Sequence, residues 1–123
     1  MNSVQFFEIQ ADDPESLIAF YEAVFAWSFL KQEGMPIDYW QIQNAGINGG
    51  LLKRPAPAPS AGSGTNAFTC SMIVEDFDAT ATKIQANGGQ IAMPKFLVPG
   101  KCWQGYFLDP EQNVFGLFQV VTE

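Results

Sequence analysis

Apolar and polar residues alternate along Val4 to Gln10, which predicts a strand with Phe7 and Ile9 on one side and Phe6 and Glu8 on the other. Asp12-Asp13-Pro14 then predicts a helix start, because Asp13 can cap free amides and proline suits the first helical position. Leu17, Phe20, Tyr21, Val24 and Phe25 recur at helical spacing and form one apolar stripe, read as core. Trp27 to Gln32 reads as a second strand and Gly34-Met35-Pro36 as a loop. Asp38 to Gln43 and Asn48 to Lys53 read as a hairpin around Asn44-Ala45-Gly46.

The order then repeats. Phe68 to Val74 reads as a strand, and Asp76 caps a shorter helix whose inner face is Phe77, Ala81 and Ile84. Asn87-Gly88-Gly89 ends that helix. Gln90 to Ala92 begins another strand, with Pro94 and Pro99 limiting its continuation. Lys101 to Leu108 and Val114 to Val121 form a hairpin across Asp109-Pro110-Glu111-Gln112-Asn113. The expected fold is α+β, with the series β-α-β-β-β written twice. Its parts are module one at 1–54, a Pro/Gly/Ser linker at 55–65 and module two at 66–123. The linker lacks the aromatic or basic anchors of a proline-motif ligand.

Composition narrows the field. Hydrophobic residues make up 47% of the 123, enough for a folded core and too evenly spread for a membrane span. Thirteen acids against six scattered bases give a net charge of −7, which argues against nucleic acid as a partner. Met-Asn-Ser-Val has neither the basic region nor the apolar core of an export signal. A cytoplasmic location is expected, with Cys70 and Cys102 reduced.

Phe7-Glu8-Ile9, Asp12-Asp13-Pro14-Glu15 and Ala19 to Phe25 resemble the first module of the vicinal oxygen chelate superfamily. That group includes glyoxalase I, bleomycin-resistance proteins and extradiol dioxygenases. Val74-Glu75-Asp76, Gly88-Gly89, Asp109 to Asn113 and Phe115-Gly116-Leu117 resemble its second module, most closely in the bacterial glyoxalase-like branch related to lactoylglutathione lyase. The resemblance implies paired βαβββ modules forming an incomplete barrel around a cavity, and a homodimer. In metal-dependent members, one position on the first strand and one on the last strand of each module supply ligands. Matching the two halves puts these positions on Phe6, Gly50, Thr69 and Gly116. The chain has no histidine, and phenylalanine, threonine and two glycines do not make a site for Zn²⁺, Ni²⁺ or Fe²⁺. No metal and no other cofactor is therefore expected.

If the implied fold holds, Phe6 and Glu8 share a cavity face with Thr69 and Ser71. Tyr39, Trp40, Gln41, Trp103 and Tyr106 lie in equivalent hairpin segments and offer aromatic and amide groups to a ligand. Trp40 and Trp103 read equally as pocket walls or as core or dimer-interface residues. Glu8 is the one candidate catalytic residue, read as a general base or as a carboxylate that binds an amine, against the alternative of a solvated or ion-paired acid. The leading expectation is a metal-independent small-molecule binder. The alternatives are a lyase or isomerase using Glu8 or an atypical metal site, and a scaffold kept for structural partnership alone.

Overall fold

The structure is a computed structural model that describes residues 2–60 and 62–122. It divides into two compact units, Met1–Ser60 and Ala61–Glu123, with the boundary inside the Pro/Gly/Ser stretch. Each unit is one β-α-β-β-β module.

The first unit runs β1 (Phe6–Ala11), α1 (Pro14–Phe25), β2 (Ser28–Lys31), β3 (Tyr39–Gln43) and β4 (Asn48–Lys53). The strands form a mixed sheet in the order β1-β4-β3-β2, with β1 parallel to β4 and the remaining pairs antiparallel. The Asp13 carboxylate accepts a hydrogen bond from the Ser16 amide, which satisfies one of the free donors of the first turn. Ala26 stops α1 in the left-handed region, at φ 58°, and its amide returns to the Glu22 carbonyl.

The apolar stripe of α1 is buried as the spacing predicts, with Leu17 fully enclosed above Ala11, Ile42 and Leu51 of the sheet. Complete burial of each such aliphatic side chain contributes about 1.5–3 kcal/mol. Trp27 adds an aromatic cluster. Its ring stacks on Tyr21 at 5.0 Å between centroids and meets Phe7 edge-on at 6.0 Å.

The second unit repeats the plan with β5 (Ser71–Ile73), α2 (Phe77–Ala86), β6 (Gln90–Val98), β7 (Cys102–Leu108) and β8 (Val114–Val120). The order is β5-β8-β7-β6, again with the first and last strands parallel. Asp76 caps α2 through the Ala79 amide at 3.0 Å. Gly88, at φ 94°, lets the chain turn back so that the Gly89 amide reaches the Ile84 carbonyl. Phe77, Ile84, Phe107, Phe115 and Leu117 are buried between α2 and the sheet. Asp109, 1% exposed, holds the β7–β8 turn by accepting from the Glu111 and Asn113 amides and from the Asn113 side chain.

Two strands differ from expectation. Residues 68–70 lie outside β5, and Phe68 is 99% exposed, although the Cys70 carbonyl still accepts from the Gly116 amide of β8. In contrast, β6 continues through Pro94 to Val98. Its pairing with β7 shifts register between Ile91 and Met93 and again between Met93 and Phe96. Such bulges accommodate a residue that has no amide to donate.

Candidate functional site

Register decides which side chains share a face. In the first unit α1 covers the face bearing Phe7, Ile9 and Leu51. The other face carries Phe6, Glu8 and Gln10 of β1, Asn48, Gly50 and Leu52 of β4, and Tyr39 and Gln41 of β3. Glu8 stands directly opposite Gly50, and Gly50 opposite Gln41. Phe6, the first-strand position that the resemblance assigns to a metal ligand, lies opposite Asn48.

Above Gly50 lies the ring of Tyr39, which reaches across the sheet and donates its hydroxyl hydrogen bond to Glu8 Oε2 at 2.8 Å. A Cβ on residue 50 would overlap that hydroxyl. Glycine is therefore what allows Tyr39 to lie flat and meet Glu8. Desolvation, then the hydrogen bond to Glu8 and the charge of Glu8, push the Tyr39 phenol up to about 12. Tyr39 thus remains a neutral donor throughout the physiological range.

The second unit builds an analogous arrangement with different chemistry. Its uncovered face carries Ser71 and Ile73 of β5, Gly116 and Phe118 of β8, and Gln104 and Tyr106 of β7. Ser71 is opposite Gly116, and Gly116 opposite Tyr106. Gln104 Nε2 donates to Ser71 Oγ at 3.2 Å. A Cβ on residue 116 would overlap the Ser71 hydroxyl and come within 2.8 Å of the Gln104 amide nitrogen. Thr69, the sequence match for Phe6, is exposed and lies before β5. The residue facing Gly116 is again two positions further on. Tyr106 is half-buried on this face and stacks with Phe96 at 6.4 Å.

The structure therefore groups Phe6, Glu8, Tyr39 and Gln41 on one face, and Ser71 and Tyr106 on another. Trp40 and Trp103 belong with neither group. Trp40 pairs with Leu51 on the helix side, 9% exposed, with Lys31 Nζ 5.3 Å from its ring. Trp103 shares the α2 side with Gln119, which accepts from the Phe77 amide. Lys95 Nζ lies 4.7 Å from the Trp103 ring and 5.5 Å from that of Phe77. Both tryptophans thus lie on the helix side of their sheets.

Gln104 is a site residue that sequence reasoning did not single out. It occupies the register position in β7 that Tyr39 occupies in β3, two residues before the glycine's partner. The two modules thus read Tyr-x-Gln and Gln-x-Tyr at equivalent places. A groove of about 410 Å³ in the second unit is lined by Ile73, Val74, Glu75, Gln119, Val120 and Thr122, and contains none of the predicted ligand residues. The polar clusters at Gly50 and Gly116 are the better candidates, because their donors and acceptors converge.

Comparison with known proteins agrees with this architecture. The model of the Glyoxalase/Bleomycin resistance protein/Dioxygenase superfamily matches residues 3–117. "Putative glyoxylase CFP32" of Mycobacterium bovis is 28% identical over 114 residues, covering 91% of this chain. The chain spans only 42% of the length of that relative. Among solved structures, the fosfomycin resistance protein FosX of Listeria monocytogenes, in complex with Mn(II) and 1S,2S-dihydroxypropylphosphonic acid, superposes with TM-score 0.77. It is 14% identical, and the match covers 98% of this chain and 94% of that one. A glyoxalase/bleomycin resistance protein/dioxygenase family enzyme from Burkholderia phytofirmans superposes with TM-score 0.73 at 19% identity, covering 95% of this chain and 98% of its own. These structural likenesses establish the fold alone. With the family model matched over nearly the whole length and two β-α-β-β-β modules in place, the chain belongs to the Glyoxalase/Bleomycin resistance protein/Dioxygenase superfamily.

Proposed function

We propose that this protein binds a small organic molecule through the polar clusters of its uncovered sheet faces, and does so without a transition metal. The observation that carries the reading is the Tyr39 hydroxyl lying over Gly50 and bonded to Glu8. At a position where metal-dependent relatives are expected to project a ligand, this chain has no side chain, and a neutral phenol takes up the space. Gly116 supports the same reading, since Ser71 and Gln104 occupy the space above it.

The donor set does not fit a catalytic metal. One carboxylate, a protonated phenol, a hydroxyl and a primary amide are poor substitutes for the imidazole, carboxylate and thiolate that such ions take at short distances. Among the described residues, no three His, Cys, Asp or Glu side chains are grouped where an ion could sit. The manganese of the Listeria protein is accordingly not carried over to this chain, and no chemical step is routed through a metal. The remaining groups suit recognition: a carboxylate acceptor, a phenol, amides able to donate and accept, and exposed aromatic surface at Phe6. The reading takes the protein as a homodimer.

Two measurements on the purified protein test it together. Elemental analysis should find transition metals well below one per chain, and a chelator should leave the melting temperature unchanged. A thermal-shift screen of small metabolites should find a stabilising ligand, adding about 2.7 kcal/mol at a hundredfold its Kd. A stoichiometric, stabilising metal would overturn the metal-free reading. A broad screen with no hit would overturn the binding reading and favour a scaffold.

A further inference from the structure

We propose that the ligand of the first unit carries a positive charge, an ammonium or guanidinium group, and that Glu8 pairs with it. This rests on the binding reading above and narrows it to a chemical class.

Glu8 is the only charged residue among the strand positions of its face. Its neighbours by register are Phe6, Gln10, Asn48, Gly50, Leu52, Tyr39 and Gln41. Lys31 and Lys53, the cations of this sheet, pair with Trp40 and Ala11 and so belong to the opposite face. Among the described residues no cation pairs with Glu8, and its hydrogen-bond partner is the Tyr39 hydroxyl on one oxygen, Oε2. Elsewhere the chain does pair acids with bases, as in Lys95 with Asp78 and Lys31 with Asp38.

A ligand that covers this face must deal with that charge. A neutral ligand would strip water from Glu8 and leave the charge compensated by one phenol alone, which is costly. An anionic ligand would add repulsion. A cationic group replaces the lost hydration with a charge-assisted hydrogen bond. Phe6, 49% exposed and on the same side of β1, offers an aromatic face to the same cation. The amide oxygen of Gln41 supplies an acceptor of the sign that an ammonium or guanidinium group needs. The net charge of −7 draws cations towards the protein before contact.

The test uses three probes with one ring and three charges: benzylammonium, benzyl alcohol and benzoate. Each is titrated into the full-length protein and followed by calorimetry and amide chemical shifts. Affinity should fall in that order. Glu8→Gln should weaken benzylammonium by roughly tenfold or more and leave benzyl alcohol nearly unchanged. Glu22→Gln, which removes the same unit of charge from the exposed side of α1, should leave benzylammonium binding intact. Two results would overturn the cation assignment while the binding reading stands: benzyl alcohol or benzoate binding as tightly as the amine, or Glu8→Gln leaving the amine unaffected. If no probe of any charge perturbs this face, the binding reading fails here too.

Discussion

Gly50→Ala should be far more damaging than the addition of one methyl group to a half-exposed sheet suggests. The new Cβ would overlap the Tyr39 hydroxyl and crowd the atoms of its ring. Tyr39 must then swing away and release Glu8 from their 2.8 Å hydrogen bond. Forcing an extra carbon into occupied space costs about 1–3 kcal/mol. The lost hydrogen bond adds about 1 kcal/mol, a charge-assisted value discounted for solvent at a partly exposed site. The expected total is about 2–4 kcal/mol, or roughly 1–2 M in a urea midpoint. In a Tyr39→Ala background the same substitution meets open space. There alanine should gain about 0.5–1 kcal/mol over glycine within a strand. Urea unfolding of the four proteins, followed by fluorescence to which Trp27 and Trp40 contribute, gives the coupling directly. Equal costs in both backgrounds, or no cost in either, would refute the claim that Gly50 exists to seat Tyr39.

Two further outcomes follow from local geometry. Ala26→Gly should raise stability by about 1 kcal/mol, because an alanine now holds the left-handed position at φ 58° that ends α1; an unchanged or lower melting temperature would contradict this. Tyr39 should ionise near pH 12 instead of 10, seen as phenolate absorbance present in the wild type and absent from Tyr39→Phe. The raised value means that its stabilising contribution is complete below pH 10 and is lost as pH rises through 12, so a difference titrating near 10 would show that Tyr39 does not contact Glu8.

The elements were legible where the signals were local. Asp13-Pro14 and Asp76 mark both helix starts because capping is a matter of three or four residues. The apolar stripe of α1 is set by its own periodicity. What the sequence hid depends on distant partners. Tyr39 and Glu8 are 31 positions apart, and Gln104 and Ser71 are 33. Their meeting follows from the register of three strands, which no local pattern encodes. The tryptophans illustrate the same limit. Trp40 and Gln41 are neighbours in one strand, so alternation sets them on opposite faces, but it does not say which of those faces the helix covers. Gln104 was recoverable in principle: aligning Gly50 with Gly116 and counting back across each hairpin sets it beside Tyr39.

The bulged path of β6 has a consequence for the chain's behaviour in company. This strand ends its sheet, pairing with β7 alone, and exposes Ile91, Met93 and Leu97. A straight nine-residue ribbon with that composition would be a template for edge-to-edge pairing and aggregation. Pro94, which has no amide to offer a neighbouring strand, and the two register shifts interrupt the regularity of this strand. The residue that seemed to forbid a strand here serves as its gatekeeper, keeping an apolar border from recruiting strands of other chains while the protein folds.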